Sequence, residues 1–338
     1  MKDAGELSVS SQPLLTIAIP TYNRAMYLGL CLEKISEEIA GLTEDQRGLV
    51  KIYVSDNAST DEATPKVIAQ YQGIWAGAFE AVRNPINVGP DKNIAQCYDS
   101  AVTPYVWIMG DDDVLLPSGL CMVLSHILRD EVDILYVNNY WFKENYQEKS
   151  RHQKSQGALS FRSAVEFTRR TNVMLTFISG LIVRSGIGLN YRTELIASNL
   201  VQLSWVLPLL RDGKNFVIIE DWIVAAQGSN SGGYGLVKVF GSNLVKITNE
   251  ILKDMPTVAR AIQNGTIVNF FPGFIFEFRK GSSKFSDMDM AAGLKEAFGN
   301  NWRYYVFLAP LIRLPLCVAR YYNVFLKVFR RLFRSVLV

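Results

Sequence analysis

The stretch "IMGDDDVLLP", residues 108–117, sets three aspartates directly behind an apolar run. Adjacent carboxylates repel, and a buried one must be paired or bound to a cation. Asp111, Asp112 and Asp113 therefore form a solvated turn, a cation site, or both. As a cation site they suit Mg²⁺ or Mn²⁺, hard ions that sit between one or two carboxylates and a diphosphate. The plain alternative is an acid-rich helix start, stabilised by the helix dipole. Polar clusters close two other apolar runs: Thr21, Asn23 and Arg24 after "LLTIAIP" (14–20), and Asp56 and Asn57 in "VKIYVSDN" (50–57). Asp56 can accept from the ring N–H of a uracil-like base or meet a ribose, or it can simply open a turn. In "NVGPDKNIA" (87–95), Asn87 and Gly89 suit a tight turn, with Lys92 and Asn93 near a helix start. There Lys92 can face a phosphate or stay solvated.

Something must hold these clusters side by side. The runs 14–20, 50–57, 79–84, 105–110 and 132–142 are short and apolar and read as strands. Between them, 27–42, 63–72, 87–101 and 119–128 carry helical spacing. Alternation with short connections predicts an α/β domain with a mostly parallel sheet and helices on both faces. The polar clusters then all fall at strand C-terminal ends, the edge where open α/β sheets bind ligands. Beyond a polar stretch at 145–160, the segment 164–185 reads as a helix followed by an apolar run. Residues 194–213 read as mostly helical, kinked or ended by Pro208, and 215–227 as one or two strands. The glycine-rich "GSNSGGYG" (228–235) follows as a loop or an active-site flap.

The chain has 338 residues, 49% hydrophobic and 20% charged, enough to bury a sizeable core. A net charge of +3 gives no reason to expect a nucleic-acid partner. Cys31, Cys97, Cys121 and Cys317 form no C-x-x-C pair, which argues against a zinc site or disulfide framework and suits a reducing compartment. His126 and His152 read as structural or solvated. No signal peptide and no membrane span is expected. The last 36 residues, from Arg303, carry seven Lys/Arg and no acid, interleaved with aromatic and branched side chains. Such a helical basic tail suits a membrane surface, or else an intramolecular or oligomer contact. Arg313 and Arg320 interrupt it and weigh against spanning.

"TIAIPTYNR", "VSDNASTD", "NVGPDKNIA" and "YVWIMGDDDVLLPSGL" together resemble, in order and spacing over residues 14–140, the motifs of family 2 glycosyltransferases of GT-A fold. The resemblance implies a nucleotide-sugar site of Pro20, Thr21, Tyr22, Arg24, Asp56, Asn57, Asn87, Gly89, Lys92, Asn93 and Asp111. It implies that Asp56 holds the base and that the aspartate run binds ribose and the metal. Family members often read D-x-D-D, and the first position is Gly110 here. Alignment on "VLLP" makes Asp112 the principal metal ligand, with Asp111 or Asp113 assisting. The implied reaction moves a sugar from a nucleoside-diphosphate sugar to a hydroxyl, with inversion. A metal assists the leaving diphosphate and a carboxylate deprotonates the acceptor.

The second half departs from the family pattern. Where members place an acidic pair, "ELIASNLVQL" offers Asn199 and Gln202, leaving Glu194 as the nearest candidate base, with Glu220 and Asp221 later. "FISGLIVRS" and this helix resemble, more narrowly, bacterial O-antigen transferases that include abequosyltransferases. The expected organisation is a domain over 14–235, with a nucleotide-sugar half (14–140) and an acceptor half (160–235), then a helical region over 236–338. The expected partners are a nucleoside-diphosphate sugar, a glycan or lipid-linked acceptor of surface polysaccharide (O-antigen or capsule), and the cytoplasmic face of the cell membrane. The competing readings are a template polymerase, an aspartyl phosphatase, and a sugar-nucleotide-binding scaffold that kept the fold and lost the base.

Overall fold

The computed structural model describes residues 12–150, 156–228, 235–281 and 290–337. The glycine-rich loop at 229–234 and His152 lie outside the described residues. Among the described residues nine strands form one sheet: β1 (Leu15–Thr21), β2 (Val50–Asp56), β3 (Phe79–Arg83), β4 (Tyr105–Ile108), β5 (Val114–Leu115), β6 (Ile134–Phe142), β7 (Ala158–Phe161), β8 (Leu181–Arg184) and β9 (Phe216–Gln227). Their order is β3-β2-β1-β4-β8-β6-β9-β5, and β7 also pairs with β9. β1, β2, β3, β4, β6 and β9 run in one direction; β5, β7 and β8 run against them. β7 and β5 occupy successive stretches of one edge of β9, against Phe216–Ile219 and Val224–Ala225.

Alternation along the strands feeds two layers, because successive side chains point to opposite faces. Leu15, Ile17 and Ile19 of β1, Trp107 of β4 and Leu135 and Val137 of β6 join the core beneath the helices Ala25–Ala40 and Gly119–Arg129. Ala18, Val106, Ile108, Ile134 and Tyr136 join the opposite core, which the helices Pro90–Asp99 and Leu203–Asp212 cover. Burial on both faces explains why these strands read as continuous apolar runs. Leu28, Cys31, Leu32, Ile35 and Ile39 make the buried stripe of the first helix, at the spacing of an amphipathic helix.

The segment 164–185 opens with a helix, as expected, and its apolar part ends in a strand. Helix Ala164–Thr171 gives way to two 3₁₀ turns and then β8. Residues 194–213 are split: helix Leu189–Leu195 ends, Ala197 and Asn199 take positive φ of 70° and 58°, and helix Leu203–Asp212 follows with Pro208 inside it. Residues 215–227 form a single strand, irregular where Val137↔Ile219 is followed by Asn138↔Trp222. Helices Leu244–Ile251 and Pro256–Gly265 pack on the sheet's second core. A separate core around Phe271, Phe298 and Phe307 joins the remaining C-terminal helices. Among the described residues no helix is long and apolar enough to cross a membrane.

Candidate active site

In the sheet, β1 lies between β2 and β4, with Thr21 beside Asp56 and Ala18 beside Ile108. The chain proceeds from β1 outward through β2 and β3, then returns to the other side of β1 for β4. That reversal opens a crevice at the strands' C-terminal ends. The turns after β1 and β2 are locked together. Asn23, at φ 54°, accepts from the Thr60 and Asp61 amides at 2.6 and 3.2 Å, and its own N–H donates to Ser59 Oγ at 2.9 Å. Asparagine tolerates that left-handed backbone well.

The aspartates have three different environments. Asp111 is buried; it accepts from Thr21 Oγ1 at 2.7 Å and from Arg24 Nη1 at 3.0 Å. Asp112 stands at the pocket wall, and the same Arg24 nitrogen reaches its Oδ2 at 3.1 Å. Asp113 is buried; it accepts from Ser179 Oγ at 2.5 Å and from the Gln227 amide at 2.9 Å. Burial pushes the Asp111 carboxyl up to about 6, against the opposing pull of Arg24. Burial and the adjacent Asp112 also raise Asp113. Desolvation lowers the Arg24 guanidinium, but Asp111 and Asp112 more than offset this and hold it above its ordinary value.

Gly110 explains the missing first acid of the motif. A Cβ there would stand 3.0 Å from an Asp112 oxygen, 3.1 Å from an Asp113 oxygen and 3.4 Å from Ser179 Oγ, whose hydroxyl already accepts the Gly110 amide at 2.8 Å. Gly110→Ala should displace the neighbouring carboxylates and weaken nucleotide-sugar binding by about tenfold, the scale of one good contact. Titration of the purified variant with the donor checks this.

The opposite wall is a net of amides. Asn57 Oδ1 accepts from the Val88 amide at 2.9 Å, and Asn57 Nδ2 donates to Asn87 Oδ1 at 2.9 Å. Asn87 Oδ1 also accepts from the Gly89 amide at 2.9 Å. Asn93 Oδ1 accepts from Ser55 Oγ at 2.7 Å, and its Nδ2 donates to the Ser55 carbonyl at 3.1 Å. Gly89, at φ 86°, and Pro90 start the helix, a backbone that suits glycine and then proline.

Pro20, Thr21, Tyr22, Arg24, Asn57, Asn87, Asn93, Asp111 and Asp112 thus surround one cavity of about 350 Å³, together with Pro90, Ile94, Gly110 and Ile178. Other expected site residues stand outside its lining. Asp56 is buried beside Thr21, accepting from the Ser59 amide at 2.8 Å and facing Arg83 at 3.7 Å. Lys92 is exposed on the first turn of the helix. Glu194 is exposed and lines a separate cavity with Lys238 and Lys246. The Asn199 amide donates to Asp91 at 2.9 Å, and Gln202 Nε2 donates to the Thr176 carbonyl at 2.6 Å. Ser179 and Ile178 are, with Pro90 and Ile94 of the cavity wall, among the positions sequence reasoning missed. Both lie in "FISGLIVRS", where a lone serine between apolar residues was the available signal.

The oxygens at Asp112 form a hard donor set, appropriate to Mg²⁺ or Mn²⁺ supplemented by phosphate and water. Both Asp113 oxygens are engaged by Ser179 and Gln227. Among the described residues no group of three or more His, Cys, Asp or Glu could hold a metal on its own. A site completed by the donor's diphosphate fits these residues; an all-protein cage does not.

The family model described as glycosyl transferase family 2 matches residues 16–187, half of the chain. Abequosyltransferase RfbV of Salmonella typhimurium is 35% identical over 121 residues, which is 36% of this chain and 34% of that protein. The matched region therefore spans about a third of that relative's length. The fold is shared with TarS 1–349 of S. aureus in complex with UDP, at TM-score 0.58 and 14% identity over 94% of this chain and 91% of that one. It is shared also with the mannosyltransferase PcManGT of Pyrobaculum calidifontis in complex with GDP-Man and Mn²⁺, at TM-score 0.52 and 14% identity over 96% and 88%. The four motifs, the strand-end crevice they build and the matching family model agree: the chain belongs to glycosyl transferase family 2, with a GT-A fold.

Proposed function

We propose that this protein transfers a sugar from a nucleoside-diphosphate sugar to a hydroxyl of a glycan or lipid-linked oligosaccharide, with inversion, in the synthesis of a bacterial surface polysaccharide such as O-antigen or capsule. The observation that carries the reading is Arg24, bridging Asp111 and Asp112 at 3.0 and 3.1 Å at the mouth of the crevice. A cation poised over two carboxylates at a switch point is suited to a diphosphate and its metal. The abequosyltransferase relative supports a glycan acceptor, and the UDP and GDP-Man complexes of the structural neighbours support a nucleotide-sugar donor.

In this reading Thr21 and Asp111 form the pocket floor, Tyr22 and the Asn57–Asn87 pair flank the nucleoside, and Asp56 backs the base. Asp112 would hold Mg²⁺ or Mn²⁺, which when bound supplies positive charge to the leaving diphosphate. Arg24 adds charge that persists at all working pH values. Asp111 is held by Thr21 and Arg24. Glu194, in its separate cavity, is given no step. Thermal stability against UDP-, GDP-, CDP- and dTDP-sugars, with and without Mn²⁺, tests the assignment. A donor at 100 times its dissociation constant should stabilise by about 2.7 kcal/mol. No metal-dependent shift with any of them would overturn it.

The tail is assigned to the cytoplasmic face of the membrane. In helix Leu316–Leu337, Val318, Tyr321, Phe325, Val328 and Leu332 are exposed at alternating three- and four-residue spacing, one continuous apolar stripe. Arg320, Lys327 and Arg331 are exposed to one side of it. Such a helix lies in the interface, each cation near an anionic surface adding about 1 kcal/mol. Co-sedimentation with phosphatidylglycerol vesicles, absent with phosphatidylcholine and lost in Phe325→Glu, is the expected result. Equal recovery of both proteins with both vesicles would exclude the assignment.

A further inference from the structure

A larger cavity, of about 780 Å³, adjoins the donor pocket: Phe177 lines it, while the next residue, Ile178, lines the donor pocket. Its near end is aromatic. Trp141, half exposed at the end of β6, meets Phe177 with ring centroids 5.4 Å apart. Asn138, Phe270, Glu220 and Arg170 are among its other lining residues. Among the described residues, neither the Glu220 carboxylate nor the Arg170 guanidinium makes a hydrogen bond or ion pair. Glu220 sits where β9 bulges against β6, a feature that re-aims side chains, and Asn138 Nδ2 donates to its carbonyl at 3.0 Å.

The strand sets how far Glu220 stands from the aspartates. The Gln227 amide marks the aspartate end of β9, through its bond to Asp113. Glu220 lies seven residues earlier on the same strand. The partner strand covers this stretch in four to five residues, from Val137↔Ile219 and Asn138↔Trp222 to Phe142↔Gln227, so at about 3.3 Å per residue the separation is about 15 Å. That is more than the width of one sugar ring. A glycan reaching from the aspartate end to Glu220 therefore has more than one sugar, and the cavity's volume of about 780 Å³ has room for it. Aromatic faces match the C–H faces of sugars, side-chain amides match their hydroxyls, and the volume lies in the range of ligand sites.

We infer that this cavity binds the acceptor as an oligosaccharide of two or more residues. Its reacting end lies against Trp141 and Phe177, and a distal residue is read by Glu220 and Arg170. The inference rests on the donor assignment above for which end reacts, but not for the existence of the glycan site. Glu220 and Phe270 lie outside the family match at 16–187, whereas Trp141, Arg170 and Phe177 lie inside it, so the chain's second half supplies part of this lining.

The test uses the full chain on a panel of immobilised neutral and charged mono- to tetrasaccharides. The donor-dependent thermal shift is measured in parallel on the same preparations. Di- to tetrasaccharides should bind and monosaccharides should not. Trp141→Ala, at an exposed position, should weaken binding by about tenfold, the scale of one lost aromatic contact. Glu220→Gln should change which charged glycans are retained. Neither variant should alter the nucleotide shift. Absence of oligosaccharide binding, or binding unchanged in both variants, overturns the acceptor assignment whatever the nucleotide does. Absence of the nucleotide shift overturns the donor reading instead.

Discussion

Asp112→Ala is expected to abolish metal-dependent donor binding and to lower turnover by about a hundred- to a thousandfold, the usual loss when a group stabilising transition-state charge is removed. It should do so without unfolding the protein. The Asp112 side chain is 15% exposed and its partner Arg24 is 38% exposed, so their pairing is screened and contributes no more than about 1 kcal/mol to stability. The residue ends a turn rather than filling a core, and Arg24 keeps its bond to Asp111 at 3.0 Å. Melting temperature, donor titration with and without Mn²⁺, and single-turnover transfer would be measured on one preparation. A full Mn²⁺-dependent shift in the variant would remove Asp112 from the site. A large fall in melting temperature without donor would instead make it structural.

Much of this arrangement was legible in the residues. Apolar runs that stop at Thr21, Asp56 and Asp111 place polar groups at strand ends, and strand order does the rest. Buried β-branched strands announce themselves because both faces must be apolar. What stayed illegible depends on partners remote in sequence. Three consecutive aspartates look alike until Thr21 is found behind the first, Arg24 beside the first two, and Ser179 and Gln227 around the third. β7 was missed because Ala158–Phe161 is a short edge strand of alternating exposure inside a polar stretch. The break between Leu195 and Leu203 was missed because Ala197 and Asn199 adopt positive φ without a glycine to signal it. The large cavity could not be read at all. Its walls come from β6, β9, the turns after Thr171 and the C-terminal helices, which no motif links.

Asp113→Ala should do the reverse of Asp112→Ala. Sequence reading set Asp113 beside Asp112 as a metal ligand; the geometry favours a structural pin. Its two oxygens hold Ser179 at 2.5 Å and the Gln227 amide at 2.9 Å, joining the loop after β4 to the turn before β8 and to the end of β9. Ser179 in turn receives the Gly110 amide, and its carbonyl accepts Trp107 Nε1 at 2.9 Å, with that indole fully buried. Truncation removes the acceptor of the buried Ser179 hydroxyl and of the part-buried Gln227 amide, a buried donor left so costing about 1–3 kcal/mol. The expected loss is about 2–4 kcal/mol, or about 3–6 °C in melting temperature for a chain of this size. Donor binding should fall as a consequence, because Ile178 beside Ser179 lines the donor pocket. Asp113→Asn separates the two roles. Its carbonyl can accept the Gln227 amide and its NH₂ can donate to Ser179 Oγ, so stability and donor binding should both return. If Asp113→Ala instead melts like the parent and loses only its Mn²⁺ response, and Asp113→Asn fails to restore that response, the third aspartate is a ligand and not a pin. The donor's metal would then be held by two carboxylates of the run.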